Sequence, residues 1–186
     1  MSTGQGPRSP GTGPRATARV RLVPSLRLFV LSSLLLAGVG AIGHIIGWVA
    51  LTTTLGPTTY LLLAHPDSVS ARLRSAVTGH VLAVGIGLAC LAAFGLWNHP
   101  SIVEPHQDTP RQIGAQALAA GLTLFLLHMC GAHHPPAAAT ALLITSGISR
   151  PGPPLYGMLA GLALVLAIAP LLASSTSSAQ GGTGGP

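Results

Sequence analysis

Four stretches of this chain, 28–50, 75–97, 112–130 and 155–173, run without a single Asp, Glu, Lys or Arg. Each is about 20 residues long, and at 1.5 Å per residue a helix of that length matches the roughly 30 Å hydrocarbon core of a bilayer. Only 6% of the chain is charged, against roughly 25% in an ordinary globular protein. A water-soluble fold cannot cover its surface with so few charges, so lipid must be the solvent for most of it. The fold class that follows is an all-α membrane protein with several spans.

The formal charge of +6 comes from nine arginines, with no lysine. Five of them (Arg8, Arg15, Arg19, Arg21 and Arg27) precede the first apolar run. A basic segment beside a membrane span reads as a cytoplasmic anchor and not as a nucleic-acid footprint. The first apolar run is too long for the h-region of a signal peptide, and no small-x-small cleavage site follows it. Cys90 and Cys130 both lie in apolar runs and do not read as a disulfide framework. Residues 1–27 and 174–186 are expected to be disordered tails, since neither can bury enough apolar surface to offset its conformational entropy. The membrane domain is then 28–173.

Two further apolar pieces, Pro57 to Ala64 and Pro136 to Ile148, are too short to span as helices. Each follows one long run, precedes another and begins with proline. The chain therefore reads twice as long helix, short Pro-initiated helix, Arg-bearing loop, long helix, first over 28–97 and again over 112–173. If the short pieces complete crossings, there are six passes. Arg8, Arg15, Arg19, Arg21, Arg27, Arg72 and Arg74 then lie inside, with Arg111 and Arg150 outside, seven against two. If they only dip and return, Arg72, Arg74 and Arg150 fall outside, six against three. The positive-inside rule favours six passes with a cytoplasmic amino terminus, and the cell membrane is the expected location. Three passes per half makes the halves an inverted repeat.

Inverted halves with Gly/Pro-interrupted short segments predict two half-helices that start near the midplane and face each other. The first would return in extended form through Thr52 to Gly56 and become helical at Pro57. The second would return through Gly131 to His134 and become helical near Pro135 and Pro136. Proline suits a first helical turn, where its missing N–H would be unpaired anyway. The remaining N–H groups carry roughly half a positive charge at each helix start, which a small monovalent anion would neutralise. Thr58, Thr59 and Thr140 add hydroxyl donors. The bland alternative is that Pro and Gly are common in membrane helices and that Thr often bonds its own backbone.

The tract Ala132-His133-His134-Pro135-Pro136-Ala137-Ala138-Ala139-Thr140 resembles the signature of the HPP family of integral membrane proteins. Leu55-Gly56-Pro57-Thr58-Thr59-Tyr60 is similar to that family's first-half motif, and Thr78-Gly79-His80 to its following Gly-His. The chain departs from the family in having Ala137-Ala138-Ala139 where Gly is common, and Thr58 and Thr59 where small residues are usual. The resemblance implies an anion permease, nitrite being the substrate associated with plastid and cyanobacterial members. The candidate binding set is Gly56, Pro57, Thr58, Thr59, His80, His134, Pro135, Pro136 and Thr140. The expected partners are a small inorganic anion, the bilayer and a second copy of the chain. No cofactor, metal or catalytic group is expected.

Of the eight histidines, His99 and His106 read as loop residues and His65 as a helix-end residue. His44 and His80 lie within spans, where an imidazole should face the protein and meet a partner. His128, Cys130, His133 and His134 are dense enough to raise a rival reading, a non-transporting metal or haem protein, although the spacing fits no closed zinc pattern. A structural subunit of a larger complex is a third reading. Beside a helix start, His134 should rest neutral, and a bound anion would favour its protonation, coupling one proton to one anion.

Overall fold

The computed structural model describes residues 14–104 and 107–180, with side chains from residue 22 to residue 175. Six α-helices and a single 3-10 turn (Val69–Ala71) follow one another, and no strand occurs among the described residues. The helices are α1 (Pro14–Ile46), α2 (Leu55–Ala64), α3 (Leu73–Ala93), α4 (Pro110–Met129), α5 (Pro136–Thr145) and α6 (Pro153–Gln180). Four contain stretches long and apolar enough to span a membrane: Leu22–Ile46, Leu73–Ala93, Pro110–Met129 and Pro153–Ser175. The chain is an all-α, multi-pass membrane protein.

The expected boundaries shift for local reasons. α1 begins at Pro14, within the stretch read as a tail, because arginine and apolar residues propagate a helix well outside lipid. It ends at Ile46 and not at Ala50, since Gly47 takes a φ of 75° that reverses the chain. Two hydrogen bonds close this stop, Trp48 N–H to the Gly43 carbonyl (2.8 Å) and Gly47 N–H to the His44 carbonyl (3.2 Å). α4 ends the same way at Gly131 (φ 64°), with Ala132 N–H on the Leu127 carbonyl (2.9 Å). α6 runs through 174–180, part of the stretch read as a tail, as Ala and Ser carry the helix on. The parts of the two expected tails at 1–13 and 181–186 lie outside the described residues. α2 begins at Leu55, so Pro57 is its third residue and not its first.

Glycines show how the elements run beside one another. A Cβ at Gly161 would strike the Ala50 carbonyl oxygen and stand 3.2 Å from Leu55, while Gly157 backs onto Val49. Further along, Leu62 and Pro66 border one pocket with Pro170 and Ala173. Residues 49–66 thus run alongside α6 in the same direction. Gly79 likewise backs onto Ala137, and Gly87 onto Ile144, so α5 runs alongside α3 in the same direction. α3 and α4 are antiparallel, with Gly79 against Leu127 and Gly114 against Phe94.

Two three-helix groups result. α1, α2 and α6 pack together, as do α3, α4 and α5. Among the described side chains of α1 the buried stripe is Leu35, Val39 and Gly43, one i±4 ridge, with the others exposed or partly so. α3 and α6, which touch only lightly, form the seam between the groups.

Candidate functional site

The seam holds a buried polar cluster. Thr54, Thr58, Thr59, His134 and Thr140 are fully buried and His80 is 4% exposed. These residues come from α2, α3, α5 and the segments before α2 and α5, and small neighbours let α3 and α5 meet. At Gly79 a Cβ would stand 3.2 Å from Ala137, 3.3 Å from the His134 Cβ and 3.3 Å from Leu127. That missing side chain is the space in which α4, α5 and His134 approach α3.

His80 bridges the two groups. Its Nε2 lies 3.3 Å from the Thr58 hydroxyl, and its Nδ1 lies 2.9 Å from the Thr140 hydroxyl. The proton positions follow from counting donors. The Thr58 hydroxyl donates its one proton to the Thr54 carbonyl at 2.8 Å, so toward His80 it accepts. Nε2 of His80 therefore carries hydrogen, and in a neutral ring Nδ1 accepts from Thr140. A second proton on His80 would turn that contact round and release the Thr140 hydroxyl proton for another acceptor.

His134 is held differently. Its Nδ1–H donates to the Ser70 carbonyl at 2.7 Å. Its ring stands edge-on to His80, with centroids 5.0 Å apart and 68° between planes. Nε2 is buried and has no hydrogen-bond partner, and the same is true of the Thr59 hydroxyl. Thr123 and Thr145 return their protons to the carbonyls four residues back, as Thr58 does. Thr59 does not. Each unpaired buried polar atom costs about 1–3 kcal/mol. One ring nitrogen and one hydroxyl are thus left without partners in the buried interior.

The helix starts differ from expectation. At α5, Pro135 and Pro136 have no N–H, and Ala137 and Ala138 give theirs to the His134 and Pro135 carbonyls (3.1 and 3.0 Å). At α2, Leu55 N–H bonds the Thr52 carbonyl, Thr58 N–H bonds the Thr54 carbonyl, and Pro57 has none. Neither start presents a cluster of free N–H groups. The donors available to an anion are side chains. Nor do the two starts face each other directly, since His80 stands between Thr58 and Thr140.

Of the candidate set, Thr58, Thr59, His80, His134, Pro136 and Thr140 are buried, whereas Gly56, Pro57 and Pro135 are exposed. Ser70 and Thr54 had no signal in the sequence, because each acts through a backbone carbonyl. His44 is exposed near the end of α1 and not turned inward. His65 bonds Tyr60 at 3.2 Å on an exposed face, and His106 lies outside the described residues. The rival histidine group is divided: His134 turns into the seam, while His128 and His133 pair with centroids 6.0 Å apart and Cys130 is exposed. Among the described residues, no three of His, Cys, Asp and Glu gather in one place.

The family model described as HPP, transmembrane region, matches residues 17–180. No curated protein and no solved structure matches the chain.

Proposed function

The chain belongs to the HPP transmembrane family, and from that premise we propose that it is a membrane permease for a small inorganic anion, nitrite first among the candidates. The observation that carries the reading is the buried, unpartnered Nε2 of His134, at the meeting point of three helices of a multi-pass membrane protein. A neutral imidazole there accepts a proton and then donates it to an anion. The Thr59 hydroxyl and, once His80 is protonated, the Thr140 hydroxyl supply further donors. Anion and proton would travel together, so no bare charge is left in lipid.

The halves 28–97 and 112–173 form an inverted repeat, and the two packed groups, each drawn from both halves, are the moving parts. α1, α2 and α3 correspond to α4, α5 and α6. Under that correspondence the group α1, α2, α6 maps onto α4, α5, α3, and both are packed groups. α2 running with α6 maps onto α5 running with α3, and the stop at Gly47 maps onto that at Gly131. The chain then crosses six times, with the amino terminus on the cytoplasmic side of the cell membrane. Rocking of one group against the other opens the site to alternate faces. The seam is suited to this: an apolar crevice of about 260 Å³ runs along it between Val77, Val81, Leu159 and Leu162, with His80 at its wall.

Proteoliposomes loaded with the purified protein test the reading. Nitrite uptake above that of protein-free vesicles supports it, whereas no uptake of nitrite, nitrate, formate or halide would remove it.

A further inference from the structure

At the end of the bundle where α3 begins and α4 ends lies a pocket of about 490 Å³. Arg72, Arg74, Ser75, Thr78, Cys130 and Ala132 are among its lining residues. No acidic residue lines it. Asp67, the acidic residue at this end, borders a neighbouring pocket together with Arg72. The segments at the opposite end carry Glu104 and Asp108 as well as Arg111 and Arg150.

Three wall residues adjoin the groups that hold His134. Val69 precedes Ser70, whose carbonyl fixes the His134 ring. Thr78 precedes Gly79, against which the His134 Cβ packs. Ala132 accepts the His134 N–H on its carbonyl at 2.8 Å. The pocket and the buried imidazole are thus separated by a single layer of chain.

We infer that this pocket is the anion-collecting mouth of the permease, where Arg72 and Arg74 concentrate small anions beside the wall that holds His134. The inference rests on the permease reading. Two guanidinium groups over a cavity with hydroxyl-bearing walls raise the local anion concentration and the rate of encounter. The same chemistry would suit the phosphate of an anionic lipid headgroup, and the experiment separates the two sources.

Cys130 is exposed on the pocket wall and Cys90 is buried, so the native chain carries its own reporter. The full-length protein in phosphatidylcholine vesicles is treated with N-ethylmaleimide at pH 7.5, with sodium nitrite or sodium gluconate at equal ionic strength. Nitrite is expected to slow the modification of Cys130. The pair Arg72→Gln and Arg74→Gln should abolish that protection and raise the KM for nitrite uptake about tenfold, with the maximal rate kept. Arg72→Lys with Arg74→Lys should restore both. An unchanged KM in the glutamine pair overturns the mouth and leaves the permease standing. Protection without uptake keeps the anion site and removes the permease. Protection by phosphatidylglycerol but not by nitrite makes the pocket a headgroup site and overturns the inference.

Discussion

His80 of α3 and Thr140 of α5 are joined by a 2.9 Å hydrogen bond between residues sixty positions apart. The Thr58 contact of the same ring, at 3.3 Å, crosses the seam between the helix groups. The shorter bond lies within one group and the longer one between groups. A rocking motion would therefore keep the first and break the second.

Removing the Thr140 hydroxyl leaves His80 Nδ1 buried without a donor. Thr140→Val keeps the packing methyl and should destabilise the protein by about 1–3 kcal/mol, while Thr140→Ser keeps the hydroxyl and should lose only about 0.8 kcal/mol for the deleted methyl. Thermal unfolding in detergent compares the two. Loss in Thr140→Ser with none in Thr140→Val would show that the methyl packing matters and the hydrogen bond does not.

The glycines that set the helix spacing should differ sharply in tolerance. Gly161→Ala places a Cβ against the Ala50 carbonyl and should cost more than about 1–3 kcal/mol, the usual penalty of overpacking. Gly121 has nothing within 4 Å of an added Cβ, and Gly121→Ala should be neutral or stabilising by up to about 1 kcal/mol. The ordering of the two melting temperatures checks this directly.

Six crossings and four crossings place different residues on one side. With six, a cysteine replacing Arg150 reacts with a membrane-impermeant maleimide from the same side as one replacing Ser101, and Cys130 reacts from the other. With four, the Arg150 position shares the side of Cys130, and the Ser101 position lies opposite both. Labelling all three positions in sealed, oriented vesicles decides between the two topologies.

The long helices were legible because lipid imposes a length and forbids charge, and 75–97 and 112–130 lie within a few residues of α3 and α4. Helix ends in water obey other rules, which is why α1 extends back to Pro14. α2 was misplaced because proline at 57 looks like a first-turn residue, whereas the turn is closed earlier by Leu55 N–H on the Thr52 carbonyl. Thr58, His80, His134 and Thr140 were reached from motif and position, and they do converge. The backbone anion site was not legible, since prolines remove N–H groups and turn carbonyls consume others. The Ser70 carbonyl, sixty-four residues from His134, leaves no mark in the sequence.

The central claim is that the free Nε2 of His134 carries a proton with the anion. It is tested by recording internal pH with a trapped dye as nitrite is added outside proteoliposomes, with protein-free vesicles subtracted because nitrous acid itself crosses lipid. The parent protein should acidify the interior in step with nitrite uptake, faster as external pH falls, and His134→Gln should lose this dependence on pH. A His134→Gln variant that acidifies the interior with the parent's pH profile would contradict the account.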